Sequence, residues 1–226
     1  MPVYCEGEDR VEVELALIKD YVKPREERES PFYVSKYHIT EKQFHYLTGD
    51  FNRRIVVADD HPKVGINWFN AMYCCNRLSR NQGLEPYYKF DIPIGKRPDA
   101  WVEHTTTGSN GYRLPTVDEW MFLQNDNTIY AGGSNDLEAT AWYQENSGNE
   151  THPVGLKQPN KFGLYDMAGN VWEFTDTVLY NENYIRVMGG AYDSKEAQLS
   201  AYADPKQILK TAHQLNVGIR VVRNFY

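Results

Sequence analysis

The sequence predicts a single α+β domain with two principal helices, a small sheet and long ordered loops. Three observations lead there. In residues 67–80, NWFNAMYCCNRLSR, the set Trp68, Ala71, Met72, Cys75 and Leu78 repeats at i, i+3, i+4, i+7 and gives a helix one apolar face. The stretch TVDEW at 116–120 is a capping box, with Thr116 and Glu119 closing each other's free amides at a helix start. The closing VGIRVVRNF is alternating and β-branched, which reads as a strand.

Taken in chain order, residues 1–31 form an acidic, polar extension. Its VEVELALI alternates weakly, as an added edge strand or a disordered lead-in would. PFYVSKYHI is extended, and a weaker helix follows over Glu41 to Leu47. The 67–80 helix starts at an Asn67 cap after the extended Val64-Gly65-Ile66 and stops near Gly83. A long loop runs from Lys89 to Gly111, and Pro115 separates GYRL from the capped helix. YIRVMGGAY reads as a strand broken by Gly189-Gly190, and nearly all else beyond Tyr130 reads as loop. Loops longer than about 12–15 residues are uncommon and usually functional.

With 41% hydrophobic residues and aromatics spread evenly, the 226-residue chain can build one large core. The net charge is −7 and no Lys/Arg cluster exceeds a dipeptide, which argues against a nucleic-acid partner. No apolar run approaches the ~20 residues of a membrane span, and the start is too acidic for a signal peptide. The expectation is a cytoplasmic or phage-associated protein. Three cysteines imply no disulfide framework: Cys74 and Cys75 are adjacent, Cys5 is remote, and both members of the adjacent pair read as packing residues.

The stretch FGLYDMAGNVWEF, 162–174, sets Asp166 and Glu173 seven residues apart among aromatics. Buried carboxylates need partners. Backbone donors, a metal ion, or an arginine such as Arg113 or Arg220 could supply them.

NWFNAMYCCNRLS, GYRLPTVDEW, AWYQENSGNETHPVG, NKFGLYDMAGNVWEF, RVMGGAYD and VGIRVVRN stand together in one order. As a set they resemble the formylglycine-generating enzyme (sulfatase-modifying factor) domain family over about residues 32–224. That resemblance implies a C-type lectin-like fold of the formylglycine-generating enzyme type, with two main helices, a small mixed sheet and a site near the C-terminal loops. Members of the family include copper oxidases, iron-dependent sulfoxide synthases and non-catalytic variable proteins of diversity-generating retroelements. The oxidase needs two thiolates in the loop after the Gly-Gly pair; those positions fall on Ser194 and Leu199. The synthase branch needs an HxxxHxE pattern, which the six histidines do not form. No copper or iron is therefore expected. In calcium-binding members the run equivalent to GLYDMAGNVWE wraps one ion. The resemblance assigns that role here to the side chains of Asp166 and Glu173 and the carbonyls of Gly169 and Val171, as a structural Ca²⁺ site.

What remains is a non-catalytic ligand-binding protein that presents the loops of 189–217 to a protein or other macromolecule. The candidate contacts are Trp142, Tyr192, Asp193, Ser194, Ser200, Tyr202 and Asp204, with Tyr143 and Tyr180 as neighbours. Tyr and Ser suit adaptable binding surfaces, and these residue types also suit retroelement diversification. The alternatives are a metal-dependent oxidoreductase with unrecognised ligands, or an accessory subunit of a larger assembly.

Overall fold

A computed structural model describes residues 10–24, 26, 30–49, 60–91, 102–105, 109–124, 128–179 and 183–225. Its framework is two four-stranded sheets with helices packed between and beside them. The first sheet has the order β1 (Leu15–Ile18), β2 (Phe32–Ser35), β12 (Val222–Asn224), β5 (Tyr112–Arg113), all antiparallel. The second runs β10 (Lys206–Leu209), β9 (Tyr184–Met188), β8 (Trp172–Val178), β11 (Val217–Gly218) and is mixed, because β11 lies parallel to β8. Two small ribbons complete the strands: antiparallel β3 (Tyr88–Asp91) with β4 (Val102–Thr105), and parallel β6 (Ala141–Trp142) with β7 (Ala168–Gly169).

The helices begin where their caps lie. Helix α1 spans Glu41–Thr48, with a reciprocal Thr40/Gln43 capping box and a left-handed Gly49 at its end. Helix α2 spans Trp68–Asn81, capped by an equivalent Asn67/Asn70 pair. Helix α3 spans Val117–Gln124; the Glu119 amide donates to Thr116 Oγ1 at 3.2 Å, and the Thr116 amide donates to Glu119 Oε2 at 2.9 Å. Substituting such a cap by Ala typically costs about 0.5–2 kcal/mol. A single turn, α4 (Leu137–Thr140), starts at Asp136.

The apolar stripe of α2 is fully enclosed, and Cys74 and Cys75 are buried with it. Burial pushes the Cys74 thiol up to about 12 and that of Cys75 well above its usual value, so both serve as packing. This core joins α2 to Tyr112, Leu114, Phe174 and Ile219. A second core gathers around Trp120 of α3, with Phe32, Val34, Met167 and Leu199.

Three expectations change. The loop from Lys89 to Gly111 contains the β3–β4 ribbon, whose strands are short enough to pass as loop. The stretch WEFTDTV, within the region expected to be loop beyond Tyr130, is the seven-residue β8, and Glu173 is buried within it. The final strand divides into β11 and β12, one in each sheet. Ile219, Arg220 and Val221 cross between the sheets and are all fully buried, so alternation fails there.

Candidate functional site

Two places carry chemistry: a buried polar node behind the 162–174 motif and the loop surface after Gly189-Gly190.

At the node, β8 turns the Glu173 side chain inward to meet Arg220 from the crossover between β11 and β12. Arg220 Nε donates to both Glu173 oxygens at 3.0 Å, and Nη2 lies 2.9 Å from Oε1. The remaining donors reach the carbonyls of Ser35, Lys36 and Tyr165 at 2.8, 3.0 and 2.7 Å. Trp120 Nε1 donates to Glu173 Oε2 at 2.7 Å, and His38 Nε2 lies 2.9 Å from Oε1. A carboxylate only accepts, so His38 presents Nε2–H to it. Burial would raise the Glu173 pKa, but Arg220 and then His38 overcome it and hold the carboxyl at about 2.

Asp166 sits beside this node with a left-handed backbone, φ 56°, and is buried. Its Oδ2 accepts from the Gly155 amide at 2.8 Å and so ties the 155 turn to the motif. Its Oδ1 and His38 Nδ1 are buried without a hydrogen-bond partner. Burial pushes its carboxyl above the usual range, against the pull of His38, the Gly155 amide and Arg220.

This arrangement does not fit the calcium cage expected from Asp166, Gly169, Val171 and Glu173. Calcium takes about 6–8 hard oxygens. Both Glu173 oxygens are taken by N–H groups, and an ion bound to them would face a guanidinium. Gly169, in β7, and Val171 are both buried. The arginine, one of the partners open from the sequence, is the one the fold supplies.

On the loop surface, the Gly-Gly pair is required by geometry. Gly189 has φ 96°, and a Cβ there would lie 3.1 Å from both the Met167 carbonyl and the Trp120 ring. At Gly190, φ 79°, it would lie 2.6 Å from Leu199. The backbone therefore packs tightly on the second core before the loop emerges.

Beyond it, the candidate contacts divide. Ser194 is buried, and its Oγ accepts from the Ala191 amide at 2.9 Å, so it braces the turn instead of facing a ligand. Leu199, the other thiolate position of the oxidase branch, is a core residue. Trp142 is half-buried, with the His152 ring stacked at 3.7 Å and Lys157 Nζ at 4.0 Å from its ring centre. Two groups that close cannot share one face of the indole, so both faces are covered. Tyr192 is half-buried, and its carbonyl accepts from Ser147 Oγ at 2.7 Å; exposed Asp193 holds Asn216.

Ser200, Tyr202 and Asp204 lie on the second stretch of the loop. Tyr202 is 83% exposed. Ser200 and Asp204 border a shallow dimple of about 10 Å³, room for one water, over the buried Trp120, Trp172 and Met188, with Gln124 and Gln198 beside them. Tyr143 is buried, its hydroxyl donating to Glu138 at 2.9 Å. Tyr180 and Cys5 lie outside the described residues. Among the described residues, no group of three His, Cys, Asp or Glu side chains is placed to hold a metal ion.

The sequence reading missed His38, Trp120 and Asn170. Asn170 is fully buried, and its side chain clamps the backbone of His152 at 3.0 Å in both directions. Its place in the Gly-Asn turn was the available signal. Trp120 was visible only as the end of the capping box. His38 pairs with a residue 135 positions away, beyond any local pattern.

Residues 8–225 match the family model described as the sulfatase-modifying factor enzyme 1-like domain, a span that includes β1. The chain is 31% identical over 227 residues to chaperone protein LppX of Paenibacillus barcinonensis, covering 86% of this chain and 81% of that protein. It is 36% identical over 122 residues to the formylglycine-generating enzyme of Mycobacterium tuberculosis; that match spans 46% of this chain and only 40% of the enzyme. Among solved structures, Treponema denticola variable protein 1 superposes over 100% of both chains with a TM-score of 0.74 and 21% identity. The fold is thus the C-type lectin-like fold of the formylglycine-generating enzyme type.

Proposed function

Because the chain belongs to the sulfatase-modifying factor enzyme 1-like domain family, we propose that it uses this scaffold for binding: a protein or other macromolecule docks on the loops of 189–217. One observation carries the reading. The two positions that hold thiolates in the oxidase branch are Ser194 and Leu199, and both are buried in packing, while Tyr202 and Asp204 face solvent. A surface of this kind binds without transferring electrons. Two similar proteins, one a chaperone and one a variable protein, support a binding role. Retroelement diversification of this loop is the finer form of the proposal; a near-copy of its coding region beside a reverse transcriptase gene would support it.

The test is site-directed photocrosslinking in the cells the protein comes from. A benzophenone amino acid at Tyr202 is expected to give a discrete adduct that the same group at Tyr46, 52% exposed on α1, does not give. Identical adducts from both positions, or none from Tyr202, overturn the proposal. So would oxygen uptake above the buffer rate with thiol substrates and added copper or iron.

A further inference from the structure

We propose that the open face of the first sheet is a second docking surface, on which Arg223 receives a carboxylate side chain that a partner protein presents among apolar residues. The proposal does not depend on the loops of 189–217, so either surface can fail its test without the other.

Strand register builds the face. Leu17 of β1 pairs with Tyr33 of β2, Tyr33 with Arg223 of β12, and Arg223 with Tyr112 of β5. Residues directly opposite one another in a sheet point to the same side, so these four form one row across it. The other side of the same strands carries Ile18, Phe32, Val34 and Val222 into the second core. The row is covered at one end only. Tyr112 is buried, its hydroxyl donating to Gln82 Oε1 at 2.8 Å. Arg223 and Tyr33 are half-buried, and Leu17 is 37% exposed. Phe225, two residues beyond Arg223, is 45% exposed, with its ring centre 5.6 Å from that of Tyr33. Large apolar side chains thus surround one cation on an open sheet face.

That cation is uncommitted. Arg113 and Arg220 each hold a buried carboxylate. Among the described residues none supplies an acceptor to Arg223, and its Nε is buried without a hydrogen-bond partner. Acids are not scarce, with 31 Asp and Glu against 24 Lys and Arg. What holds the guanidinium is aromatic: its centre lies 5.0 Å from the Tyr33 ring centre and 5.8 Å from that of Tyr112. Contact with rings engages the face of a guanidinium and leaves its N–H groups in the plane. With Nε enclosed, the free edge is the pair of terminal nitrogens, and that fork matches the two oxygens of a carboxylate.

Charge complementarity therefore selects an acid. The rings hold the fork in place before anything arrives, which lowers the cost of ordering it on binding. Apolar residues on either side of the acid would cover Leu17 and Phe225 and keep water from the pair, where its attraction is stronger than in open solvent.

The experiment is a titration of the full chain followed by ¹H–¹⁵N NMR through the backbone amides of Leu17, Tyr33 and Phe225 and the Arg223 Nε–H. The probes are N-acetylated, C-amidated pentapeptides of sequence Leu-Ser-Glu-Ser-Leu, with glutamine or lysine in place of the glutamate in two counterparts. An extended chain puts the first, third and fifth side chains on one side. Saturable shifts are expected with the glutamate peptide, with binding up to about fivefold weaker for glutamine, the upper range of one exposed ion pair, and weaker still for lysine. Arg223→Gln should abolish the preference for glutamate. Because that change also takes the cation from between two rings, Leu17→Asp serves as the second variant. Leu17 is exposed, so the fold should hold, while the new charge competes for Arg223 and repels the glutamate peptide. If the glutamine peptide binds as tightly as the glutamate peptide, Arg223 does not select the partner and the proposal is wrong. It is equally overturned if no peptide moves these signals up to its solubility limit. Light scattering should show no two-chain species that Leu17→Asp breaks; one that it does break would assign the face to a second copy of this chain instead.

Discussion

Trp120 belongs to two regions built on opposite terms. Its N–H closes the Glu173–Arg220 node, where four of the arginine's five N–H groups donate hydrogen bonds, Nη2 also lies 2.9 Å from Glu173 Oε1, and both residues are fully buried. Its ring lies under the dimple, whose outer residues Gln198 and Asp204 face water. Node and dimple are thus neighbours through one side chain. The node spends its charges on joining β2, β8 and the β11–β12 crossover, and the loop surface leaves the Asp204 carboxylate unspent. A charge already matched inside the protein supports the fold, and one left on the exposed loop is available to a partner. The long motif 162–174 falls in the first category.

The sharpest way to break this contrast is Arg220→Met. It strands Glu173 in the core and leaves three carbonyls without their donors. Breaking a buried pair in this way costs about 3–5 kcal/mol. In a chain of this size that is a fall of roughly 10 °C in Tm, at about 2–4 °C per kcal/mol. A variant that melts within a degree or two of wild type would show that the node is dispensable.

Next in size is the pH response. The Glu173 carboxyl is lowered from its ordinary 4.5 to about 2, so the folded state binds a proton less readily than the unfolded one. The stability it contributes is fully present above about pH 4.5 and is lost as pH falls toward 2. Glu119, held below its ordinary value by Arg113 against the effect of burial, acts with the same sign. Urea midpoints for Glu173→Gln should therefore lie below wild type at pH 7 and converge on it as the pH drops. A gap that stays constant with pH would mean that the carboxyl is not depressed.

Helix placement was legible in the sequence because it depends on local signals such as the Asn67 cap and the Thr116–Glu119 box. The family motifs likewise gave the fold class. Strand β9 was legible as YIRVM, but β8 and the split β11–β12 were not, because they derive their form from long-range neighbours. Arg220 shows why. Alternation puts it on a solvent face, but its partners are Glu173, 47 residues away, and carbonyls near residue 35. On the loop, residue type alone carries no burial information: Tyr202 and Asp204 are exposed, whereas Ser194 is buried and its Oγ accepts from the backbone amide three residues back.

A smaller effect is expected at Asp166. Burial has raised its carboxyl pKa, and Oδ1 lacks a partner, so the ionised form is held at a cost. Asn keeps an oxygen for the Gly155 amide and tolerates the positive φ. Asp166→Asn should thus match or exceed wild type by up to about 1 kcal/mol at pH 7, a difference within the range of one net hydrogen bond. That advantage should shrink as the pH falls, because protonation removes the same charge from wild type. With Glu173 paired to Arg220, EDTA and added Ca²⁺ should leave the melting of both proteins unchanged. A Ca²⁺-dependent rise in wild type that Asp166→Asn lacks would restore an ion to this site.

The smallest effect on stability belongs to the loop surface, and there the absence of an effect is informative. Tyr202→Ala removes a ring that is 83% exposed, and Asp204→Asn removes a charge with no role in the node. Surface changes of this kind usually stay within about 0.5 kcal/mol. Both variants should melt like wild type. If either variant instead melts several degrees lower, the residue contributes to the fold, and the division between a spent interior and an available surface fails at the one place where the binding role depends on it.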